Sequence, residues 1–249
     1  MEMYTPDPVQ VQEVKTHRIP REFSMGKTFL WMGFGLLVSA IVSLVLPYIL
    51  ELFTPEQQNA AFITIYVVSI IAIIPCSLIA AKKAFSDKTV GITIAYSIYS
   101  IAIGMLLSTI FIQFLEIFGE SAVSIVAISF FVTAGCFFLM GGLGMLVKNM
   151  NRAIPFVSAL LLGALVLSLF NLFMGFGWVY WVVDLVLFLA ILIYTAIDMN
   201  HVKKLAESSA LSDCKSLPIY CGFLLYVDFI NIFLRILYYV AILFASRKN

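Results

Sequence analysis

Long apolar runs separated by short polar segments make up most of this chain. Seven of these runs are long enough for a helix to cross the hydrocarbon core of a bilayer, which takes about 20 residues. They predict an all-α polytopic membrane protein, a bundle of seven transmembrane helices with almost no residues left for a soluble domain. The predicted spans are 28–50, 60–81, 90–114, 122–147, 154–175, 182–200 and 217–244.

The first 27 residues differ from the rest of the chain. They are polar, contain Pro6, Pro8 and Pro20, and show no apolar periodicity. Such a segment cannot bury enough apolar surface to fold by itself. We predict a flexible cytoplasmic tail over residues 1–27 and a transmembrane domain over residues 28–249. We expect no cleavable signal peptide, because the tail and the first apolar run are both longer than the corresponding regions of one.

Composition favours an integral membrane protein. Hydrophobic residues make up 62% of the chain, charged residues make up 12%, and the mean hydropathy is +1.04. These values exclude an ordinary soluble domain, in which about a quarter of the residues are charged. The lipid bilayer is therefore the expected partner, and no nucleic-acid partner is expected.

Basic residues alternate between the predicted connections. Twelve of the 15 Lys and Arg residues lie in the N-terminal tail and in the second, fourth and sixth connections. The other three connections, 51–59, 115–121 and 175–181, contain no Lys or Arg. Since short basic loops stay on the cytoplasmic side, the pattern predicts a cytoplasmic N-terminus. It also predicts that the connection between the last two helices, residues 200–217, is cytoplasmic.

Two aspartates, Asp198 and Asp228, lie inside strongly apolar stretches. An ionisable carboxyl in hydrocarbon is costly and usually marks a transport pathway, a proton site or an ion site. If the sixth helix ended near His201, the two carboxyls would differ in depth by ~12 Å. The difference shrinks if that helix continues through Leu205, so contact between the carboxyls depends on where the helix ends.

Further polar residues follow Asp228 on the last predicted helix. Asn231 comes three residues later and could hydrogen-bond to the carboxyl or to another helix. Arg235 comes seven residues later and is expected to face the bundle interior, because facing lipid would be costly. Asp184 is expected to begin the sixth helix, where the helix N-terminus would stabilise its charge. The candidate partners of Arg235 are Asp184, Glu116, Glu120 and a backbone carbonyl.

Small residues recur on two predicted helices, at four-residue spacing on the third and in a cluster on the fourth. These residues are Ser100, Gly104, Ser108, Gly141, Gly142 and Gly144. In a membrane such residues let helix backbones approach closely, so they predict tight packing rather than chemistry. The four cysteines lack the spacing of metal ligands, and a reduced, structural role is expected for them.

The segments around the two aspartates resemble a known family. The first is Tyr-Thr-Ala-Ile-Asp-Met-Asn-His-Val-Lys-Lys-Leu over 194–205, and the second is Leu-Leu-Tyr-Val-Asp-Phe-Ile-Asn-Ile-Phe over 224–233. The second is similar to the Leu-Tyr-Leu-Asp-Phe-Ile-Asn-Leu-Phe signature of the Bax inhibitor-1 family, the transmembrane Bax inhibitor motif proteins. From about residue 28 onward the chain resembles, in particular, the bacterial calcium-leak members of that family.

The resemblance implies a bundle with a central last helix, in a bacterial cytoplasmic membrane, and a pH-sensing aspartate pair at Asp198 and Asp228. In the bacterial members an arginine on the second helix acts as a latch on that pair. This chain has Lys82 and Lys83 at the end of its predicted second helix and no arginine there. One of these lysines would have to replace the latch, as a point charge without the bidentate fork of arginine.

Three classes of function are compatible with these features. In the first, a pH-sensitive leak for calcium or other cations, a protonated carboxyl pair closes the pathway. The ionised pair opens it, and Asp198 and Asp228 then offer oxygen ligands to Ca²⁺ as the candidate metal-binding residues. The second is a structural or regulatory membrane protein that binds a partner protein.

The third class is an intramembrane aspartyl protease, but the chain lacks the Gly-x-Gly-Asp of the second catalytic helix, since Asp228 follows Leu-Tyr-Val. We therefore favour the leak, and we expect no enzymatic activity and no cofactor.

Overall fold

The structure, a computed structural model, describes residues 24–207 and 214–248. Most of the predicted N-terminal tail, residues 1–23, lies outside the described residues. The helices are α1 (Met25–Leu50), α2 (Pro55–Lys82), α3 (Val90–Phe118), α4 (Ser121–Leu146), α5 (Ile154–Met174), α6 (Gly177–Glu207) and α7 (Leu217–Lys248), with a short 3-10 helix (Met150–Ala153) before α5. The described ranges contain no strand, and all seven helices include a segment long and apolar enough to cross a membrane, so the predicted all-α fold is confirmed.

The helix ends differ from the prediction where polar residues continue a helix beyond the apolar run. The largest difference is in α6, which begins at Gly177 rather than residue 182 and ends at Glu207 rather than residue 200. Hydropathy marks the hydrocarbon boundary, whereas a helix can continue into the headgroup region with interfacial aromatic and basic side chains. By contrast, α3 and α5 end at glycines with positive φ, Gly119 (59°) and Gly175 (69°), a conformation that other residues rarely adopt.

The last helix occupies the centre of the bundle, as the family resemblance implied. It packs against α1, α3, α4 and α6, whereas α2 packs mainly on α3 and α5 mainly on α6. Accordingly, α7 is apolar around most of its circumference, and Leu225, Tyr226, Ile232 and Leu237 are almost completely buried. A helix that is hydrophobic on all sides is suited to such a position.

Two pairs of helices approach closely through glycines, as the small-residue pattern predicted. A Cβ atom on Gly104 of α3 would lie 2.8 Å from the backbone oxygen of Ser39 in α1. A Cβ atom on Gly144 of α4 would collide with the backbone oxygen of Ala196 in α6. Gly142, in contrast, has open space around it, so only part of the glycine cluster on α4 lies at a helix contact.

Buried hydroxyl groups connect α7 to α1 and α3. Ser39 Oγ donates to the backbone oxygen of Ser100 at 2.8 Å and lies 2.6 Å from the Tyr226 hydroxyl. Because the single Ser39 hydrogen is used on the carbonyl, the Tyr226 hydroxyl is the donor in the second bond. This chain of bonds fixes α7 two residues before Asp228.

Candidate functional site

The carboxyl groups of Asp198 in α6 and Asp228 in α7 lie within hydrogen-bonding range of each other. We call these two residues the diaspartyl pair. Asp198 lies nine residues before the end of α6 at Glu207, and Asp228 lies eleven residues after the start of α7 at Leu217. The two antiparallel helices therefore carry the carboxyls at nearly the same depth. Because α6 continues beyond Leu205, the difference in depth between the two carboxyls that was expected for a helix end near His201 is absent.

Burial and protonation are linked at this pair. Asp228 is only 8% exposed and Asp198 is half-buried. Oδ2 of Asp228 is buried and has no hydrogen-bond partner among the described residues. Since an ionised carboxylate can only accept, a hydrogen bond between two carboxyls requires at least one of them to hold a proton. The close arrangement therefore allows the two carboxyls to share a proton.

The surroundings of the pair contain few compensating charges. Asp198 has His201 as a neighbour one turn further along α6, and Tyr220 and Cys221 at the start of α7 also lie near it. The predicted latch residues, Lys82 and Lys83, are exposed at the end of α2, and within the described residues neither forms an ion pair with the diaspartyl pair. The structure thus brings the two aspartates together but leaves the candidate latch lysines away from them.

Polar side chains of α6 fix its position against the end of α4. Asn200 is buried, and its amide donates to the backbone oxygens of Gly144 at 2.8 Å and Val147 at 2.6 Å. Lys203 Nζ donates to the backbone oxygen of Met145 at 2.9 Å. The last carbonyls of a helix have no partner within it, so α6 supplies the bonds that α4 lacks. Sequence reasoning missed this role because it placed the end of α6 at residue 200.

Replacing Asn200 with Ala should therefore destabilise the bundle. The substitution leaves the carbonyls of Gly144 and Val147 without these donors in a buried place, which costs about 2 kcal/mol. Thermal unfolding of the purified protein in detergent measures the loss. Asn151→Ala, at an exposed position of the 3-10 helix, is the matched control and should leave the melting temperature unchanged. Equal melting temperatures for both variants would argue against the role of Asn200.

A second polar cluster lies at the other end of α6 and α7. Arg235 forms an ion pair with Oδ1 of Asp184, and the Tyr239 hydroxyl donates to Oδ2 of Asp184 at 2.5 Å. We call Asp184, Arg235 and Tyr239 the distal cluster. Among the four candidate partners of Arg235, the structure selects Asp184.

The predicted reason for the position of Asp184 is wrong. Because α6 begins at Gly177, Asp184 lies two turns inside the helix. The effect of a helix N-terminus is confined to about the first turn, so the Arg235 guanidinium and the Tyr239 hydroxyl stabilise its charge instead. Asn231 is exposed, and within the described residues its side chain makes no hydrogen bond to Asp228 or to another helix. Sequence reasoning also missed the role of Tyr239, one turn after Arg235, whose hydroxyl is a polar group in an otherwise apolar part of α7.

The described residues contain no group of three or more His, Cys, Asp or Glu side chains that could hold a metal ion. The four cysteines, Cys76, Cys136, Cys214 and Cys221, are all free. The diaspartyl pair is therefore not part of such a group among the described residues.

The fold and this site define a class of protein: a seven-helix membrane bundle that holds a carboxyl pair between its last two helices. The family described as inhibitor of apoptosis-promoting Bax1 matches residues 21–246. The chain therefore belongs to the Bax inhibitor-1 family, and the resemblance inferred from segments 194–205 and 224–233 is confirmed.

Two bacterial relatives are similar over most of the chain. The inner membrane protein YbhL of Escherichia coli K12 is 27% identical over 217 residues, which cover 86% of this chain and 88% of the relative. An uncharacterized membrane protein of Streptococcus pyogenes serotype M1 is 27% identical over 218 residues, which cover 85% of this chain and 89% of the relative. The relatives thus match over most of the chain, and the family match at residues 21–246 extends over all seven helices rather than over the aspartate segments alone.

Proposed function

We propose that this protein is a pH-sensitive leak for cations, with calcium as the permeant ion, and that the diaspartyl pair is its gate. The observation that carries the proposal is the close approach of two carboxyls, one of them buried, at nearly equal depth between α6 and the central helix α7. An ionisable pair in this position is costly for a purely structural role. We propose neither an enzymatic activity nor a resident cofactor.

The gating mechanism follows from the proton that the pair shares. While the proton is present, a hydrogen bond joins Asp198 to Asp228 and holds α6 against α7. As the pH rises the proton is lost, and two carboxylates at this distance repel each other. The closed arrangement therefore loses stability with rising pH, and the separated carboxylates attract cations and offer the hard oxygen ligands that Ca²⁺ prefers. Conduction should increase from acidic to alkaline pH.

Calcium flux into proteoliposomes is the test of this function. The purified protein is reconstituted with an internal calcium indicator, and the rate of Ca²⁺ entry is measured from mildly acidic to mildly alkaline pH. Protein-free liposomes and the Asp228→Asn variant are the controls. Flux that rises with pH only in the wild type supports the leak. The absence of flux at every pH would favour the alternative, a membrane protein that acts by binding a partner protein.

We further propose that the protein lies in a bacterial cytoplasmic membrane with its N-terminus inside the cell, since the relative YbhL is named an inner membrane protein. The alternation of basic residues supports this orientation. Contacts also gather the basic connections at one end of the bundle, since Ser216 bonds to the backbone oxygen of Ser86 and Lys204 bonds to Asn149 at 3.3 Å.

Cysteine labelling in intact cells tests the orientation. On a cysteine-free background, Lys215→Cys should be protected from an impermeant thiol reagent added outside, because residue 215 belongs to the basic end. Glu120→Cys, exposed at the opposite end, is the matched control and should react. The reverse labelling pattern would show that the orientation is inverted.

A further inference from the structure

The distal cluster and the diaspartyl pair lie along the same stripe of each helix. Asp184 and Asp198 are 14 residues apart on α6, and Asp228 and Arg235 are seven residues apart on α7. An α-helix drifts by only about 20° over seven residues. Each helix therefore carries one member of the diaspartyl pair and at least one member of the distal cluster on nearly the same side. The two polar sites are placed in series along the α6–α7 contact.

The space beside the distal cluster is open and partly polar. A cavity of about 530 Å³ is lined by Asp184 and Arg235, by three aromatic side chains and by the aliphatic side chains of Val183, Leu187 and Leu234. Asn231 lies on α7 between the distal cluster and the diaspartyl pair, and its side chain is exposed. Polar side chains at membrane depth usually face a water-filled cavity or the bundle interior. The polar groups along this stretch are therefore the distal cluster beside the cavity and Asn231 between the two sites.

Both carboxylate oxygens of Asp184 are occupied by groups of this chain. Oδ1 contacts the Arg235 guanidinium and Oδ2 accepts from the Tyr239 hydroxyl. The ion pair is half-shielded from solvent, with the Arg235 side chain 32% exposed and the Asp184 side chain 20% exposed. A cation that enters the cavity therefore meets a carboxylate already neutralised by a tethered cation.

We propose that the distal cluster is a second gate of the cation path, in which Arg235 occupies the Asp184 carboxylate in place of an inorganic cation. This inference rests on the proposed leak function. When Arg235 moves away, Asp184 and the Tyr239 hydroxyl expose hard oxygen ligands of the kind that divalent cations bind. A cation bound there is then on the stripe that leads through Asn231 to the diaspartyl pair.

Flux measurements with charge variants separate a gate from a structural ion pair. At the pH of maximal wild-type flux, Arg235→Gln should raise the rate of Ca²⁺ entry several-fold, because Asp184 is then free to bind the cation. Arg235→Lys retains the tethered charge and should stay near the wild-type rate. Asp184→Asn should lower the rate, and the double variant Asp184→Asn/Arg235→Gln should lose the gain of Arg235→Gln. If Arg235→Gln lowered the flux as much as Asp184→Asn, the cluster would only hold the helices together.

A labelling experiment keeps the inference testable if a variant folds poorly or if the wild type conducts nothing. On a cysteine-free background, Asn231→Cys is exposed to an impermeant, positively charged thiol reagent on the side of the distal cluster. The labelling rate should increase several-fold when Arg235→Gln is added, and Arg235→Lys should leave it unchanged. Equal rates in all three backgrounds would overturn the second gate, whereas absence of flux with gated labelling would overturn only the proposed leak.

Discussion

Replacing either member of the diaspartyl pair with asparagine should flatten the pH dependence of calcium flux. Asparagine keeps the shape and a hydrogen-bonding group at positions 198 and 228, but it removes a titrating carboxyl. In Asp228→Asn or Asp198→Asn, the amide can bond to the remaining carboxyl at any pH, so deprotonation no longer forces two negative charges together. The ratio of the alkaline rate to the acidic rate should fall from its wild-type value towards one in either variant.

The double variant decides whether the two aspartates act as one unit. Coupled groups are non-additive, so Asp198→Asn/Asp228→Asn should change the pH response little more than either single substitution does. Asp87→Asn, at an exposed position in the connection after α2, is a matched control that removes a carboxyl elsewhere and should behave as the wild type. A normal pH response in both single variants, or two effects that simply sum, would show that the aspartates are independent structural groups.

Gly144→Val should destroy the contact between α4 and α6 and with it the position of Asp198. A valine Cβ at this position collides with the backbone oxygen of Ala196, two residues before Asp198 in α6. The obstacle is backbone, which cannot rotate away as a side chain can, so the cost should reach the upper range for overpacking, about 3 kcal/mol. We expect a strong loss of folded protein, measured as the monodisperse fraction after detergent extraction and as the melting temperature.

The same helix offers a matched control for this prediction. Gly142→Val adds the same side chain two residues earlier, where a Cβ atom meets nothing within 4 Å. It should leave both the yield and the melting temperature near their wild-type values, because the added valine side chain projects into open space. If both valine variants were equally damaging, loss of glycine flexibility in α4, and not the close approach to Ala196, would be the cause.

The sequence identified the paired aspartates because charge is rare in hydrocarbon and therefore conspicuous. The signal for Asp198 and Asp228 is local to each helix, and both residues can be found without knowing the fold. Their contact could not be established in the same way, since it depends on α6 continuing to Glu207. Hydropathy changes at the membrane surface, whereas the helix ends only after another turn or two of interfacial residues.

The sequence also could not predict which polar side chains of different helices contact each other. Arg235 was expected to face the bundle interior, yet four partners were equally compatible with its position, and only the packing of α6 on α7 selects Asp184. The buried bonds of Asn200 and Tyr226 depend in the same way on which helices are neighbours. Such polar atoms in apolar helices indicate that a partner exists, and the three-dimensional arrangement identifies it.

The central position of α7 has a consequence for biosynthesis. Ribosomes deliver α1 to α6 to the membrane before the helix on which α1, α4 and α6 all pack. Until α7 is inserted, the faces of α1, α4 and α6 that later contact it must be covered by lipid or by an insertion factor. During this time Asp198 lacks its partner carboxyl, Asp228. A chain interrupted before residue 217 therefore contains the six surrounding helices but lacks the central helix on which α1, α4 and α6 pack.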